Sequence, residues 1–185
     1  MIGTHVLIAY PSKNGSTEEI ARRIADELEH DGLSVDCLEA GSVRDLGDYG
    51  AVILGSAVYA KRWRRSARRF LRRHQRALSG LPWWVFSSGP VGEPKAVDAR
   101  MAGWLEPPKT INKAERLGAR THIVFGGRVP ARPHNFVERA MAKNTPPEFA
   151  DRRNWEEIKG WARGTATQLA SGSQAPAPSQ DRASG

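Results

Sequence analysis

Ser12-Lys13-Asn14-Gly15-Ser16-Thr17 places hydroxyls, an amide, an ammonium and one glycine where an apolar run stops and a helical pattern starts. The run ahead of it, Val6-Leu7-Ile8-Ala9-Tyr10, reads as a strand. Strand, tight turn and helix start together make an anion site. The first N–H groups of a helix have no partner inside it, the helix dipole adds positive charge there, and hydroxyls supply further donors. A simple capped helix start would need a single such residue rather than a succession of them. Two common nucleotide loops are absent. No G-x-x-x-x-G-K-[ST] occurs, and no G-x-G-x-x-G follows the first strand. One glycine, Gly15, between Asn14 and Ser16 suits a compact phosphate monoester better than a pyrophosphate.

A second cluster is purely cationic. The net charge of +8 comes from one segment. Residues 61–76 hold eight arginines and Lys61 with no acid, and the remainder carries 19 bases against 20 acids. The pairs Arg64-Arg65, Arg68-Arg69 and Arg72-Arg73 recur four apart, so they form one wide face opposite Phe70 and Leu71. Two readings stand side by side: a solvated face, or a patch (Arg62, Arg64, Arg65, Arg68, Arg69) that meets anionic lipid, an acidic protein or a substrate's carboxylates. Nucleic acid is disfavoured, because no binding motif and no aromatic interleaving accompany the arginines. His74 and His122 have no partners at ligand spacing, which argues against a metal site. No residue stands out as an obligatory acid or base. The single cysteine, Cys37, reads as a small apolar residue at a strand end.

The elements that must position these groups follow from periodicity. Residues 4–10, 33–38, 51–55, 81–87 and 121–125 read as strands. Residues 16–30 read as an amphipathic helix on Ile20, Ile24 and Leu28, and residues 63–78 as a second helix. Residues 94–105 could form a broken helix, 136–143 a short one, and 154–169 the last. Residues 171–185 are Ser, Ala, Pro and Gln with little apolar bulk, which predicts a disordered tail after one domain of residues 1–170. Strand–helix alternation predicts a parallel sheet covered on both faces, with ligands at the carboxyl ends of the strands. Those ends carry the loops 12–17, 56–59 and 88–92. Trp83, Trp84, Trp155 and Trp161 are expected in the core. The absence of any run near ~18 apolar residues and of a signal-peptide layout over Met1–His5 predicts a cytoplasmic protein, with peripheral contact to a membrane left open by the arginines.

The string IAYPSKNGST over residues 8–17, with Ala21 and Ile24 beyond, resembles the phosphate loop of flavodoxins. It departs at Ala9, where a larger apolar residue is usual. YGAVILGSAVY (49–59), the basic segment, FSSG (86–89) and RRNWEEIKGWA (152–162) resemble the branch containing menaquinone-dependent protoporphyrinogen IX dehydrogenase, over roughly residues 4–170. The resemblance implies a flavodoxin-like three-layer α/β/α fold, with a five-stranded parallel sheet of order 2-1-3-4-5 and FMN as cofactor. It places Ser12, Lys13, Asn14, Gly15, Ser16 and Thr17 around the FMN phosphate, and Ser56, Ala57, Val58 and Tyr59 beside the isoalloxazine. Ser87, Ser88 and Gly89 would form the third loop, and Tyr59 or Trp63 could stack on the ring. It implies an FMN-dependent oxidoreductase taking electrons from a porphyrinogen-like substrate to a quinone. The alternative is a non-catalytic electron-transfer protein docking an acidic partner.

Overall fold

The computed structural model describes residues 4–11, 15–59, 62–89, 108–129, 133 and 136–172. The expectations for Ser12, Lys13, Asn14, residues 94–105 and residues 173–185 lie outside that set.

In chain order the elements are β1 (His5–Tyr10), α1 (Ser16–His30), β2 (Ser34–Glu39), β3 (Ala51–Tyr59), β4 (Arg62–Trp63), α2 (Arg65–Arg73) and α3 (Gln75–Leu78). Then come β5 (Trp83–Ser88), α4 (Pro108–Arg116), β6 (His122–Phe125), α5 (Phe136–Asn144), a 3-10 turn (Pro147–Phe149) and α6 (Trp155–Gly172). The sheet order is β2-β1-β3-β5-β6, all parallel, with β4 paired antiparallel to β3. Apart from β4, the spatial order is the expected 2-1-3-4-5.

Alternation along β1 divides the core. Val6, Ile8 and Tyr10 face one layer with Ile20, Ile24 and Leu28 of α1 and Ile158, Ala162 and Leu169 of α6. Leu7 and Ala9 face the other with Ala67, Phe70 and Leu71 of α2 and Ile111 and Ala114 of α4. Strands apolar on both faces are what a parallel sheet between two helical layers requires. Trp83 and Trp84 point to opposite layers, and both are completely buried. Each fully buried large side chain contributes roughly 1.5–3 kcal/mol of transfer free energy. Helix α1 ends at His30, and Gly32 beyond it takes a φ of +85° that lets the Leu33 N–H turn back onto the Leu28 carbonyl at 3.0 Å.

Three expectations need correction. Residues 56–59 are not a loop. They continue β3, because Ser56 and Ala57 pair with Ser87 and Ser88, and Val58 and Tyr59 pair with Trp63 and Arg62. The helix over 63–78 is divided: Trp63 belongs to β4, and the chain breaks at His74 (φ −102°, ψ 12°). Ser171 and Gly172 belong to α6 rather than to the tail.

His74 is 7% exposed, packs 4.6 Å from the Phe70 ring, and leaves its Nε2 without a hydrogen-bond partner. Burial lowers its pKa from 6.5, and the Arg73 charge acts in the same direction against the Val43 backbone and Asp45. The unfolded chain therefore binds the proton first, and the stability present above pH 6.5 is lost as pH falls through the lowered folded value. Thermal melts between about pH 7.5 and about pH 5.5 are expected to show a falling midpoint, with a shallower slope in His74→Leu. An equal slope in the variant would contradict this.

Candidate functional site

The carboxyl ends of β1, β3 and β5 meet the N-terminus of α1 on one edge of the sheet. Gly15 is the α1 cap and adopts φ +67°, a left-handed conformation that glycine takes without strain. The Glu19 N–H reaches the Gly15 carbonyl at 2.7 Å, so the N–H groups of Ser16, Thr17 and Glu18 precede the first intrahelical bond. Thr17 is 2% exposed, and its Oγ1 lies 2.7 Å from Ser88 Oγ. That hydrogen bond joins the start of α1 to the end of β5 and closes the edge on one side. Ser16 is also buried, and its Oγ has no partner. A buried hydroxyl beside free helix N–H groups costs about 1–3 kcal/mol unless something accepts its hydrogen bond. An anion at the helix start would supply that acceptor.

The expected second and third loops supply fewer side-chain contacts. Ser56 Oγ donates to the Ala57 carbonyl at 3.1 Å and accepts the Arg64 N–H at 3.0 Å, which fastens the start of α2 to β3. Ser87 Oγ accepts from Trp63 Nε1 at 3.0 Å and lies 2.9 Å from His122 Nε2. Both hydroxyls make these bonds within the fold. Trp63 is 1% exposed, the core anchor of this network and not a stacking platform. Ala57 and Val58 are half-buried at the end of β3; the Tyr59 side chain lies outside the described residues. Gly89, at φ +126°, donates its N–H to the Phe125 carbonyl at 3.0 Å.

One cluster was not anticipated from the sequence. Glu19, in the first turn of α1, receives Arg128 Nη2 at 2.6 Å on one carboxylate oxygen and Arg153 Nη1 on the other. Arg153 is almost fully buried, pairs also with Asp151, and lies 4.6 Å over the Trp155 ring. Hydrogen bonds from Arg153 hold the Asp151 carboxyl below its usual range. A backbone bridge between Arg128 and Asp151 aligns the two segments, with Val129 N–H on the Ala150 carbonyl and Arg152 N–H on the Gly127 carbonyl. The residues involved are more than 100 positions from Glu19. The only sequence signal was the density of charge and tryptophan around residues 151–155.

A flavodoxin-domain family model matches residues 7–145, three quarters of the chain, and includes all three strand ends and α1. The chain belongs to the flavodoxin domain family. The cofactor of flavodoxin domains is FMN, and the donors at Gly15–Thr17 fit its phosphate. Among solved structures, the flavodoxin domain resembles Flavodoxin 2 from Bacillus cereus (TM-score 0.60, 20% identity, covering 89% of this chain and 99% of that one). It also resembles a flavodoxin from the domain Archaea (TM-score 0.60, 15% identity, 90% and 99%). The rubredoxin oxygen:oxidoreductase from Desulfovibrio gigas matches at TM-score 0.59 and 19% identity; 92% of this chain covers 37% of that one. The flavodiiron core of Flv1 from Synechocystis sp. PCC6803 gives TM-score 0.62, 16% identity and the same two coverages. These likenesses establish the fold. No curated protein matches the chain. Among the described residues no helix is long and apolar enough to cross a membrane.

Proposed function

We propose that this flavodoxin domain is an FMN-dependent oxidoreductase that takes electrons from a reduced small molecule to a quinone-type acceptor, as in the protoporphyrinogen IX dehydrogenase branch it resembles. When bound, FMN supplies the redox chemistry. The chain's own contribution is to hold and orient. Ser16 Oγ and the N–H groups of Ser16 to Glu18 would receive the phosphate. The Thr17–Ser88 hydrogen bond keeps the start of α1 and the end of β5 at fixed spacing. Ala57 and Val58 offer apolar cover for a flat ring.

The observation that carries the choice of an enzyme is the arginine face of α2. Helix α2 turns Ala67, Phe70 and Leu71 into the core. Arg65, Arg68, Arg69, Arg72 and Arg73 are exposed on the opposite side, an arc of roughly 140° at 100° per residue. Among the described residues none of these five, nor Arg62 or Arg76, has a carboxylate partner. The Ser56–Arg64 hydrogen bond anchors this helix to β3, and on this reading Arg62, Arg64 and Arg65 would stand next to the site. There they would pair with substrate carboxylates or with phosphates of an anionic membrane. Electron-carrying flavodoxins are usually acidic near the flavin, so this charge argues against a simple shuttle.

Anaerobic reduction of the FMN-loaded protein by protoporphyrinogen IX, followed by reoxidation with menaquinone, tests the proposal. Multiple turnovers are expected. No reduction by the porphyrinogen would overturn the enzyme reading. The structural likeness to complete flavodoxins favours a second reading, an electron-transfer protein docking an acidic partner through the same arginines. Absence of turnover together with salt-sensitive binding to an acidic protein would establish that reading instead.

A further inference from the structure

The cluster at Glu19 lies against the same helix start that accepts the phosphate. A Cβ placed on Gly15 would lie 3.3 Å from Glu19 Oε1 and 3.4 Å from Arg128 Nη2. The guanidinium of Arg128 therefore lies directly over the cap residue of α1. Two features suit it to more than packing. Its Nε is buried and donates to nothing, so the group has an unused donor, and the hydroxyl of Ser16, the residue after Gly15, is also unused. Its partner Glu19 is already paired through its other oxygen with Arg153, and Arg153 is neutralised further by Asp151. The four side chains together are neutral, but they are ordered in space. Arg128 is the cation at the Gly15 end; Asp151 is the anion beyond Arg153.

We propose that Arg128 is the residue that makes this site selective for a flavin carrying a phosphate dianion, with Glu19 setting the strength of that preference. The inference rests on the FMN reading above. The N–H and O–H groups of Ser16 to Glu18 hold a phosphate by hydrogen bonds alone, and Lys13 of the same loop lies outside the described residues. A full positive charge a few ångströms away adds a term that acts on the dianion and leaves the flavin ring untouched. The Glu19 carboxylate opposes that term, and Arg128 and Arg153 offset it. The two residues thus make predictions of opposite sign: loss of Arg128 weakens FMN binding, and loss of the Glu19 charge strengthens it. A structural strap would behave differently, since breaking either end of the pair would loosen the helix start and weaken every flavin.

The test is fluorescence titration of the apoprotein with FMN and, separately, with riboflavin, which lacks the phosphate. Arg128→Gln is expected to raise the FMN Kd by about tenfold and to leave the riboflavin Kd unchanged. Glu19→Gln is expected to lower the FMN Kd several-fold, again without effect on riboflavin. Arg128→Lys should keep most of the preference, because it keeps the charge. The FMN Kd of the unmodified protein should rise with salt more steeply than that of Arg128→Gln. An unchanged FMN-to-riboflavin ratio in Arg128→Gln overturns the inference. So does parallel weakening of both ligands in both variants. If Arg128→Gln fails to fold, Glu19→Gln decides alone: tighter FMN binding supports the inference, and weaker or equal binding overturns it. Failure of the unmodified protein to bind FMN would instead remove the reading on which the inference rests.

Discussion

Gly126→Ala is expected to destabilise this fold by about 3 kcal/mol or more, which for a chain of this size lowers the unfolding midpoint by roughly 6–12 °C. The added methyl would stand 1.9 Å from the Arg152 carbonyl oxygen and 2.6 Å from its carbon. Both are backbone atoms, so no side-chain rotation relieves the clash. The segment around Arg152 must move away, and the Arg152–Gly127 and Val129–Ala150 backbone hydrogen bonds weaken with it. Those bonds set Arg128 and Arg153 against Glu19, so FMN binding should weaken along with stability. Gly164→Ala makes the matching control. Gly164 is exposed within α6 and its added methyl meets nothing within 4 Å, so the same change is expected to stabilise by up to about 1 kcal/mol. Thermal melts of the two variants measure both signs. Equal midpoints would refute the close approach at Gly126.

Trp63→Ala is expected to be comparably severe, at about 3–5 kcal/mol by chemical denaturation. The indole is buried between α2 and the sheet, and its N–H is spent on Ser87 Oγ. Truncation leaves a cavity and takes away one partner of a buried hydroxyl. Trp63→Phe separates the two costs. The ring remains, and the loss should fall to about 1–2 kcal/mol. Ser87 retains His122 as a partner, so the hydroxyl is not orphaned. A double-mutant cycle of Trp63→Phe with Ser87→Ala should return a coupling of about 1 kcal/mol. Strict additivity of the two changes would mean that the hydrogen bond contributes nothing.

Local pattern carried most of the fold. The buried runs at Val6–Tyr10 and Ala51–Leu54 and the four-residue spacing of Ile20, Ile24 and Leu28 have one physical solution, strands between helical layers. The hidden features depend on contacts distant in sequence. The stretch Ser56–Tyr59 looks like a loop because small residues gather there, yet pairing with β5 and with Arg62–Trp63 holds it extended. The break at His74 lies inside an unbroken helical pattern. The direction of a serine side chain at a strand end is fixed by pleat parity, so neighbouring Ser87 and Ser88 point to opposite faces. Ser88 meets Thr17 at the site, and Ser87 meets Trp63 and His122. The Glu19 cluster left no spacing to read, since its three other members arrive from a distant part of the chain.

In the proposed site, the edge formed by Gly15, Ser16, Thr17 and Ser88 holds FMN. Titration of the flavin-free protein with FMN, followed by flavin fluorescence, measures this. One equivalent per chain, with a Kd for riboflavin well above that for FMN, is the result expected of a site built around a phosphate. Unaltered FMN fluorescence up to a large excess of protein would contradict it.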